Sequence, residues 1–171
     1  MEIIIENLKN DEIIEFSRLT DKVFDEFVGK DYSEEGKKTF KEFTNEKAII
    51  ERINNNQFFV AKYKNNIIGI MEIRNKDHIS LFFVLKEFHG KSIGRKLFEY
   101  YIKIIKENNN GIKTITVNSS FYGEKIYKAL GFIKMQEAQE KDGIKYIPME
   151  YKIKHKMAKE ETRQPSVAGA S

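Results

Sequence analysis

Residues 79–97 read ISLFFVLKEFHGKSIGRKL, and this stretch decides the fold. The apolar run over residues 79–85 is typical of a buried strand, and apolar side chains recur at helical spacing from Ser92 onward. A short loop that contains Gly90 lies between them. Glycine lets backbone N–H groups turn towards one point, and the first turn of a helix adds free N–H groups and a positive dipole end. The stretch therefore predicts a strand, a loop that holds a phosphorylated cofactor, and a helix.

The Gly-x-x-x-Gly spacing of Gly90 and Gly94 is weak support by itself, because glycine also serves ordinary turns. Its context strengthens the interpretation, since three basic residues lie in the same segment, namely Lys91, Arg95 and Lys96. Such side chains favour an anionic ligand at the start of the helix.

The segments on either side predict a mixed sheet with helices. Strands are expected at about residues 3–5, 58–63, 67–74, 79–85, 112–117, 132–136 and 144–151, and helices at about 10–28, 33–43, 47–54, 92–108 and 121–130. Asn65-Asn66 and Asp142-Gly143 favour tight turns, and Ser33 is a candidate helix cap. Because one helix connects strands 79–85 and 112–117, these two strands should be parallel.

The composition describes a globular chain of 171 residues, with 40% hydrophobic and 33% charged residues. There are no cysteines, which excludes disulfides, thiolate metal sites and a cysteine nucleophile, and three scattered histidines predict no metal site. No apolar stretch approaches the roughly 20 residues of a membrane span, and the N-terminus lacks a signal-peptide pattern. We therefore expect a cytoplasmic protein with no membrane partner.

The charge balance gives a net charge of +4 and a pI of about 9.0. The 30 basic residues are offset by 26 acidic ones, and the two signs are mixed along the chain. A surface that binds nucleic acid is expected to segregate them, so we predict no nucleic-acid partner. Beyond about residue 155 the apolar residues nearly disappear, which predicts a domain over residues 1–155 and a polar tail over 156–171, of the kind that an expression vector can leave.

Two segments carry a resemblance to a known family. The first is residues 81–84 followed by 89–94, and the second is Ile126-Tyr127-Lys128-Ala129-Leu130-Gly131-Phe132. They resemble the acetyl-CoA loop, Gln/Arg-x-x-Gly-x-Gly/Ala, and the Tyr-x-x-Leu-Gly-Phe segment of the GNAT superfamily of N-acetyltransferases, and the order of strands and helices is also similar to that of the family. The resemblance covers about residues 1–153, and the two motifs together are more specific than either one alone.

The chain departs from the family pattern at three positions. His89 stands where Gln or Arg is usual, and Ser92 stands where the first motif glycine is usual. A positive φ at Ser92 would therefore cost some free energy. Ser120 stands where many members have Asn, with Asn118 two residues earlier.

The resemblance implies an α/β (α+β) GNAT fold: a mixed, mostly antiparallel twisted sheet of six to seven strands with helices on both faces. It also implies an enzyme that moves an acetyl group from acetyl-CoA to a primary amine by direct transfer in a ternary complex. The acceptor would be a small-molecule or peptide amine, and the protein a monomer or homodimer. The alternative is a non-catalytic module that binds acyl-CoA or a protein, against which the retained loop and Tyr127 argue.

The resemblance further implies which residues bind the cofactor. The loop from His89 to Arg95 would hold the pyrophosphate, and the pantetheine arm would lie between the fourth and fifth strands. The implied cofactor contacts are Phe83, Val84, His89, Gly90, Lys91, Ser92, Ile93, Gly94, Arg95, Asn118, Ser120 and Tyr127. A backbone N–H near Val84 would face the thioester oxygen.

Tyr127 is the candidate general acid, because a phenol with a reference pKa of about 10 stays protonated at neutral pH. A tyrosine at helical spacing is otherwise an ordinary core residue. His78 and Glu72 are the candidate bases, and an ordered water could replace either. Phe27 and Tyr32, together with Phe40, lie where the family walls its acceptor cleft.

Overall fold

An eight-stranded sheet forms the framework of residues 1–154, the part of the chain that this computed structural model describes. The strands are β1 (Ile4–Asn7), β2 (Gln57–Tyr63), β3 (Asn66–Arg74), β4 (His78–Val84), β5 (Thr114–Ser119), β6 (Ile133–Lys134), β7 (Gln139–Lys141) and β8 (Ile144–Lys152). The helices are α1 (Ile13–Val23), α2 (Glu34–Thr44), α3 (Glu46–Arg52), α4 (Ile93–Asn108) and α5 (Glu124–Leu130). The strand order is β1-β2-β3-β4-β5-β8-β6, and β7 pairs with β8.

The pairing of the strands confirms the predicted crossover. β4 and β5 are parallel and are connected through α4, whereas the other described pairs are antiparallel. The turn between β2 and β3 uses Lys64 and Asn65, whose φ angles of 48° and 65° suit a tight hairpin. It therefore lies one residue earlier than the predicted Asn65-Asn66 pair. Asp142-Gly143 forms the turn between β7 and β8.

The sheet separates two apolar cores. The first packs beneath α4 and α5, and the second packs beneath α1, α2 and α3. Alternate side chains of a strand point to opposite faces, so Phe59 joins the first core while Phe58 and Val60 join the second. Helices lie on both faces, as expected.

The separation of β4 from β5 opens the sheet at its centre. The two strands pair only through His78 with Thr116 and Ile79 with Val117. Ser80 is the next residue, and it is bulged: Ile79 pairs with Ile73 and Leu81 with Glu72, so Ser80 has no partner on β3. A bulge bends its strand and increases the local twist. Beyond Ser80, β4 diverges from β5 and leaves a gap between them.

The first two helices approach this gap. Ser33 caps α2 as predicted, because its Oγ accepts a hydrogen bond of 3.0 Å from the Gly36 N–H. The single helix predicted over residues 10–28 is divided: α1 ends at Val23, and Phe24–Val28 continue as a wider π turn. Such turns are frequent at functional sites.

Other boundaries differ from the prediction in detail. β5 begins and ends about two residues later than expected, and β6 is only two residues long. β7 was not predicted, because its polar sequence shows no apolar alternation. Within residues 1–154, no helix is long and apolar enough to cross a membrane. The predicted tail over residues 156–171 lies outside the described residues.

Candidate active site

A cleft of about 490 Å³ fills the gap between β4 and β5. Residues of both cores line it: Phe82, Val84 and Tyr127 belong to the α4 side, and Val28 and Phe40 belong to the α1–α2 side. The cleft therefore passes through the plane of the sheet and joins its two faces. Its volume is in the range of small-molecule sites, about 300–1,000 Å³.

The edge of β4 that faces the cleft carries backbone groups that are not paired with another strand. The Leu85 N–H donates to the Ile68 carbonyl on β3, so alternate residues such as Phe83 also direct their backbone groups to β3. Phe82 and Val84 consequently direct theirs to the open edge. An extended ligand could pair with this edge as an additional strand would.

The loop before α4 has the conformation that an anion site requires. Gly90 and Ser92 have φ angles of 73° and 61°, so the cost expected for Ser92 is present. The Lys96 N–H bonds the Ser92 carbonyl, and the N–H groups of the residues between them have no partner within the helix. No acidic residue lies in the first turn of α4. These N–H groups and the helix dipole favour a phosphate.

His89 connects the loop to the open edge. Its Nε2 lies 2.8 Å from the Val84 carbonyl oxygen, which can only accept, so Nε2 is the donor. The imidazole ring also lies 5.2 Å from the Phe27 ring, and Phe27 stacks on Tyr122 at 4.8 Å. The three rings span the cleft mouth from the π turn to the loop before α5.

Tyr127 lies in the wall of the cleft between Phe82 and Phe132, at ring distances of 6.0 and 5.3 Å. Only 8% of it is exposed, and burial raises its pKa well above the ordinary value of a phenol. The hydroxyl is therefore protonated at neutral pH and can act as a donor. Gly123 leaves room for the ring, since a Cβ there would lie 3.2 Å from Tyr127 Cε2.

The predicted residues mostly converge on this cleft. Those that line it are Phe83, Val84, His89, Gly90, Ser92, Ile93, Gly94, Arg95, Asn118, Ser120, Tyr127 and Tyr32. Phe27 reaches it only through His89 and Tyr122. Lys91 does not line it; its side chain is exposed, and its Nζ lies over the Phe88 ring at 5.1 Å.

The structure does not bring Glu72 to the cleft. Its side chain is fully buried elsewhere, where both carboxylate oxygens accept from Arg52, at 2.7 and 2.9 Å. Asn56 adds a third hydrogen bond of 2.8 Å. These bonds occupy the carboxylate, which removes Glu72 from the candidate bases.

His78 is also displaced from the site. It lies at the opposite end of β4 from Val84, about 20 Å away at about 3.3 Å per residue. Its Nδ1 lies 2.8 Å from the Thr116 hydroxyl, and burial, with a further contribution from Arg74, lowers its pKa to about 4. His78 therefore has a structural position at the sheet's closed end.

Sequence reasoning missed several lining residues, among them Ser80, Phe82 and Tyr122. Phe82 could have been found, because strand alternation places it on the same side as Val84. No local signal marks the bulge at Ser80 or the stack of Tyr122 on Phe27. Within the described part of the chain, no group of three or more metal-ligating side chains is arranged to hold a metal ion.

Comparisons with known proteins agree on the fold. A GCN5-related N-acetyltransferase structure from Rhodopseudomonas palustris has a TM-score of 0.76 at 16% identity, over 89% of this chain and 96% of the other. The PaiA N-acetyltransferase from Thermoplasma acidophilum, solved with coenzyme A, has a TM-score of 0.73 at 22% identity, over 89% and 99%. A GNAT-family acetyltransferase from Staphylococcus aureus Mu50 has a TM-score of 0.68 at 18% identity, over 90% and 100%.

A search of curated proteins found no significant match. The family model that describes the acetyltransferase (GNAT) domain matches residues 28–153, which include the cleft, the loop before α4 and Tyr127. The chain therefore belongs to the GNAT acetyltransferase family, whose acetyl donor is acetyl-CoA.

Proposed function

We propose that the protein catalyses acetyl-CoA-dependent N-acetylation of a primary amine, by direct transfer while both substrates occupy one cleft. The observation that carries the proposal is the passage of the cleft through the sheet. An anion site lies on the α4 side and an apolar chamber lies on the α1–α2 side. Two substrates entering from opposite faces would meet between β4 and β5.

The residues present fit the cofactor. The unpaired N–H groups at the start of α4 suit a pyrophosphate, and the open edge of β4 suits the amide-bearing pantetheine arm. Asn118 and Ser120 line the cleft at the end of β5, where they would lie beside that arm. Arg95 donates to the Ala129 carbonyl at 2.9 Å and so joins α4 to α5 on the cofactor side.

Acetyl-CoA supplies the thioester carbonyl that the amine attacks. The Val84 N–H on the open edge is aimed to stabilise the negative charge that develops on the carbonyl oxygen. His89 holds the Val84 carbonyl, which lies in the next peptide unit, and so restrains the residue that carries this N–H. The Tyr127 hydroxyl holds a proton that it can give to the departing sulfur.

The amine must be neutral when it attacks. Since neither Glu72 nor His78 reaches the cleft, water is the remaining base among those that the sequence suggested. A proton leaving the nitrogen would pass to solvent through the cleft mouth.

Two measurements test the proposal. Calorimetry should detect acetyl-CoA binding, and a thiol-reactive chromophore should detect free thiol whose release depends on an added primary amine. Binding without amine-dependent release would identify a non-catalytic binding module instead. A lack of acetyl-CoA binding would refute both. The cytoplasmic location and the monomeric or dimeric state stay predictions.

A further inference from the structure

The α1–α2 end of the cleft is an apolar chamber. Its wall consists of Val23, Val28, Tyr32, Phe40 and Phe83. Val23, Val28 and Phe40 are buried members of the second core, and Tyr32 and Phe83 pack against it. Phe40 is held rigidly, since it stacks on Phe24 with the ring centroids 3.9 Å apart. The acceptor end therefore offers hydrophobic and aromatic surface to its ligand.

This cleft contains no carboxylate among the described residues that line it. Its titratable groups are His89, Arg95 and the tyrosines Tyr32, Tyr122 and Tyr127. Two nearby carboxylates, Asp21 and Asp25, are paired with Lys41 at 3.4 and 2.9 Å. A buried ammonium needs a partner of opposite charge, so a polycationic acceptor would lose much of its hydration without compensation.

A second, outer cavity of about 420 Å³ adjoins the chamber, and Tyr32 lines both. Its charged residues are two of each sign, Asp31 and Glu140 with Lys30 and Lys145. Ser33 and Gly143 meet at its edge, where the Ser33 N–H donates to the Gly143 carbonyl at 3.3 Å. This cavity therefore has no net charge to select a cation, and the contact between α2 and the β7–β8 turn limits its width.

We propose that the acceptor is a small monoamine with an apolar body the size of an aromatic ring, which packs in the chamber and reaches the thioester as the neutral amine. The inference rests on the proposed function and specifies its substrate class. The nitrogen lone pair forms the C–N bond while the C–S bond breaks, and the sulfur leaves with the electron pair. The sulfur takes the Tyr127 proton, and the nitrogen gives its extra proton to water. Tyr127 then regains a proton from water, so no net proton is gained or lost by the enzyme.

The first experiment compares kcat/KM for 2-phenylethylamine, putrescine and spermidine. Burying a phenyl-sized group stabilises binding by about 1.5–3 kcal/mol, so 2-phenylethylamine should be preferred about 10- to 150-fold. Preference for either polyamine would overturn the inference and leave the proposed function intact. Acetyl-CoA binding without turnover of any amine would overturn the proposed function and, with it, this inference.

A matched pair of variants tests whether a carboxylate added to the chamber wall changes the preference between amines. Tyr32→Glu adds a negative charge at the chamber wall, and Ile14→Glu adds the same charge on the exposed face of α1. Only Tyr32→Glu should shift the preference towards putrescine, by about tenfold. An equal shift in both variants, or none in a Tyr32→Glu protein that still binds acetyl-CoA, would contradict the inference.

A measurement on the unaltered protein does not depend on the folding of a variant. We expect the acidic limb of the kcat/KM–pH profile to follow the amine. Replacing 2-phenylethylamine by its less basic 2,2-difluoro analogue should shift the acidic limb to lower pH. The shift should equal the difference between the two amines' own pKa values. A limb that stays at one pH for both amines would mean that a group of the enzyme, and not the amine, is titrating, and would overturn delivery of the neutral amine.

Discussion

At the scale of single residues, burial affects how tightly Tyr127 holds its proton. A phenol is already protonated at neutral pH, and removal from water raises the pKa of this hydroxyl further above its ordinary value. Tyr127→Phe should lower kcat by about 100- to 10,000-fold, the usual worth of general acid catalysis. The dissociation constant for acetyl-CoA should change little, because the proton matters only as the sulfur departs.

Tyr151→Phe is the matched control for that prediction. Tyr151 packs against the same Phe132 ring but does not line the cleft, so its variant should keep the original kcat. Equal kcat values for Tyr127→Phe and the unaltered protein, when chemistry limits the rate, would return Tyr127 to a packing role.

Gly94 tests the cofactor loop. A Cβ at this position would lie 3.5 Å from Phe82 Cζ, so a larger side chain must extend into the cleft. Gly94→Trp should greatly weaken acetyl-CoA binding in calorimetry, whereas Lys103→Trp, on the exposed surface of the same helix, should not. Unchanged affinity in a folded Gly94→Trp protein would be incompatible with a pyrophosphate on this loop.

His78 predicts a pH dependence of stability rather than of catalysis. Its pKa is about 4 in the folded chain, against about 6.5 when it is free of its surroundings. As the pH falls from 6.5 to 4, the unfolded chain takes up a proton that the folded chain does not, so the folded state loses stability in that window. His78→Gln should remove this part of the loss and leave the rate–pH profile unchanged.

Urea denaturation of both proteins between pH 7.5 and 4 measures this effect. The stability difference between His78→Gln and the unaltered protein should be constant above pH 7 and should move in favour of the variant below pH 6.5. A stability difference between the two proteins that stays constant from pH 7.5 to 4 would contradict the lowered pKa of His78.

At the scale of secondary-structure elements, the Arg52–Glu72 pair joins α3 to β3. Glu72→Gln leaves the Arg52 guanidinium without its carboxylate, and breaking a buried pair in this way typically costs about 3–5 kcal/mol. Urea denaturation should show that loss. Glu42→Gln is the control, because Glu42 pairs with Lys38 on the exposed surface of α2 and should contribute little. A small loss for Glu72→Gln would show that the pair is not structural.

The elements that sequence reasoning identified are those with local signals. The Ser33 cap, the Asp142-Gly143 turn and the parallel pairing of β4 with β5 each depend on a few neighbouring residues or on one connection. The bulge at Ser80 and the π turn depend on packing between distant segments, which no local pattern encodes. Glu72 shows the same limit, because strand alternation gives its face but not the Arg52 side chain that reaches it from α3.

At the scale of the whole molecule, the sheet of residues 1–154 separates two cores and is open between β4 and β5. The family's fold could be predicted from two motifs, since both are contiguous in sequence. The chamber could be predicted only in part: the resemblance pointed to Tyr32 and Phe40, whereas only the tertiary fold brings Val23, Val28 and Phe83 beside them. In the proposed function, two substrates would approach each other through this opening from opposite faces.

The central claim is direct transfer between two substrates in this opening, and steady-state kinetics tests it most directly. Initial rates of thiol release should be measured with acetyl-CoA and 2-phenylethylamine both varied. The chain contains no cysteine, and the proposed cleft would let the amine reach the thioester directly. Intersecting double-reciprocal lines, with no burst of thiol before the amine is added, are the predicted result. Parallel lines, or a stoichiometric burst without amine, would reveal an acetylated enzyme and contradict the account.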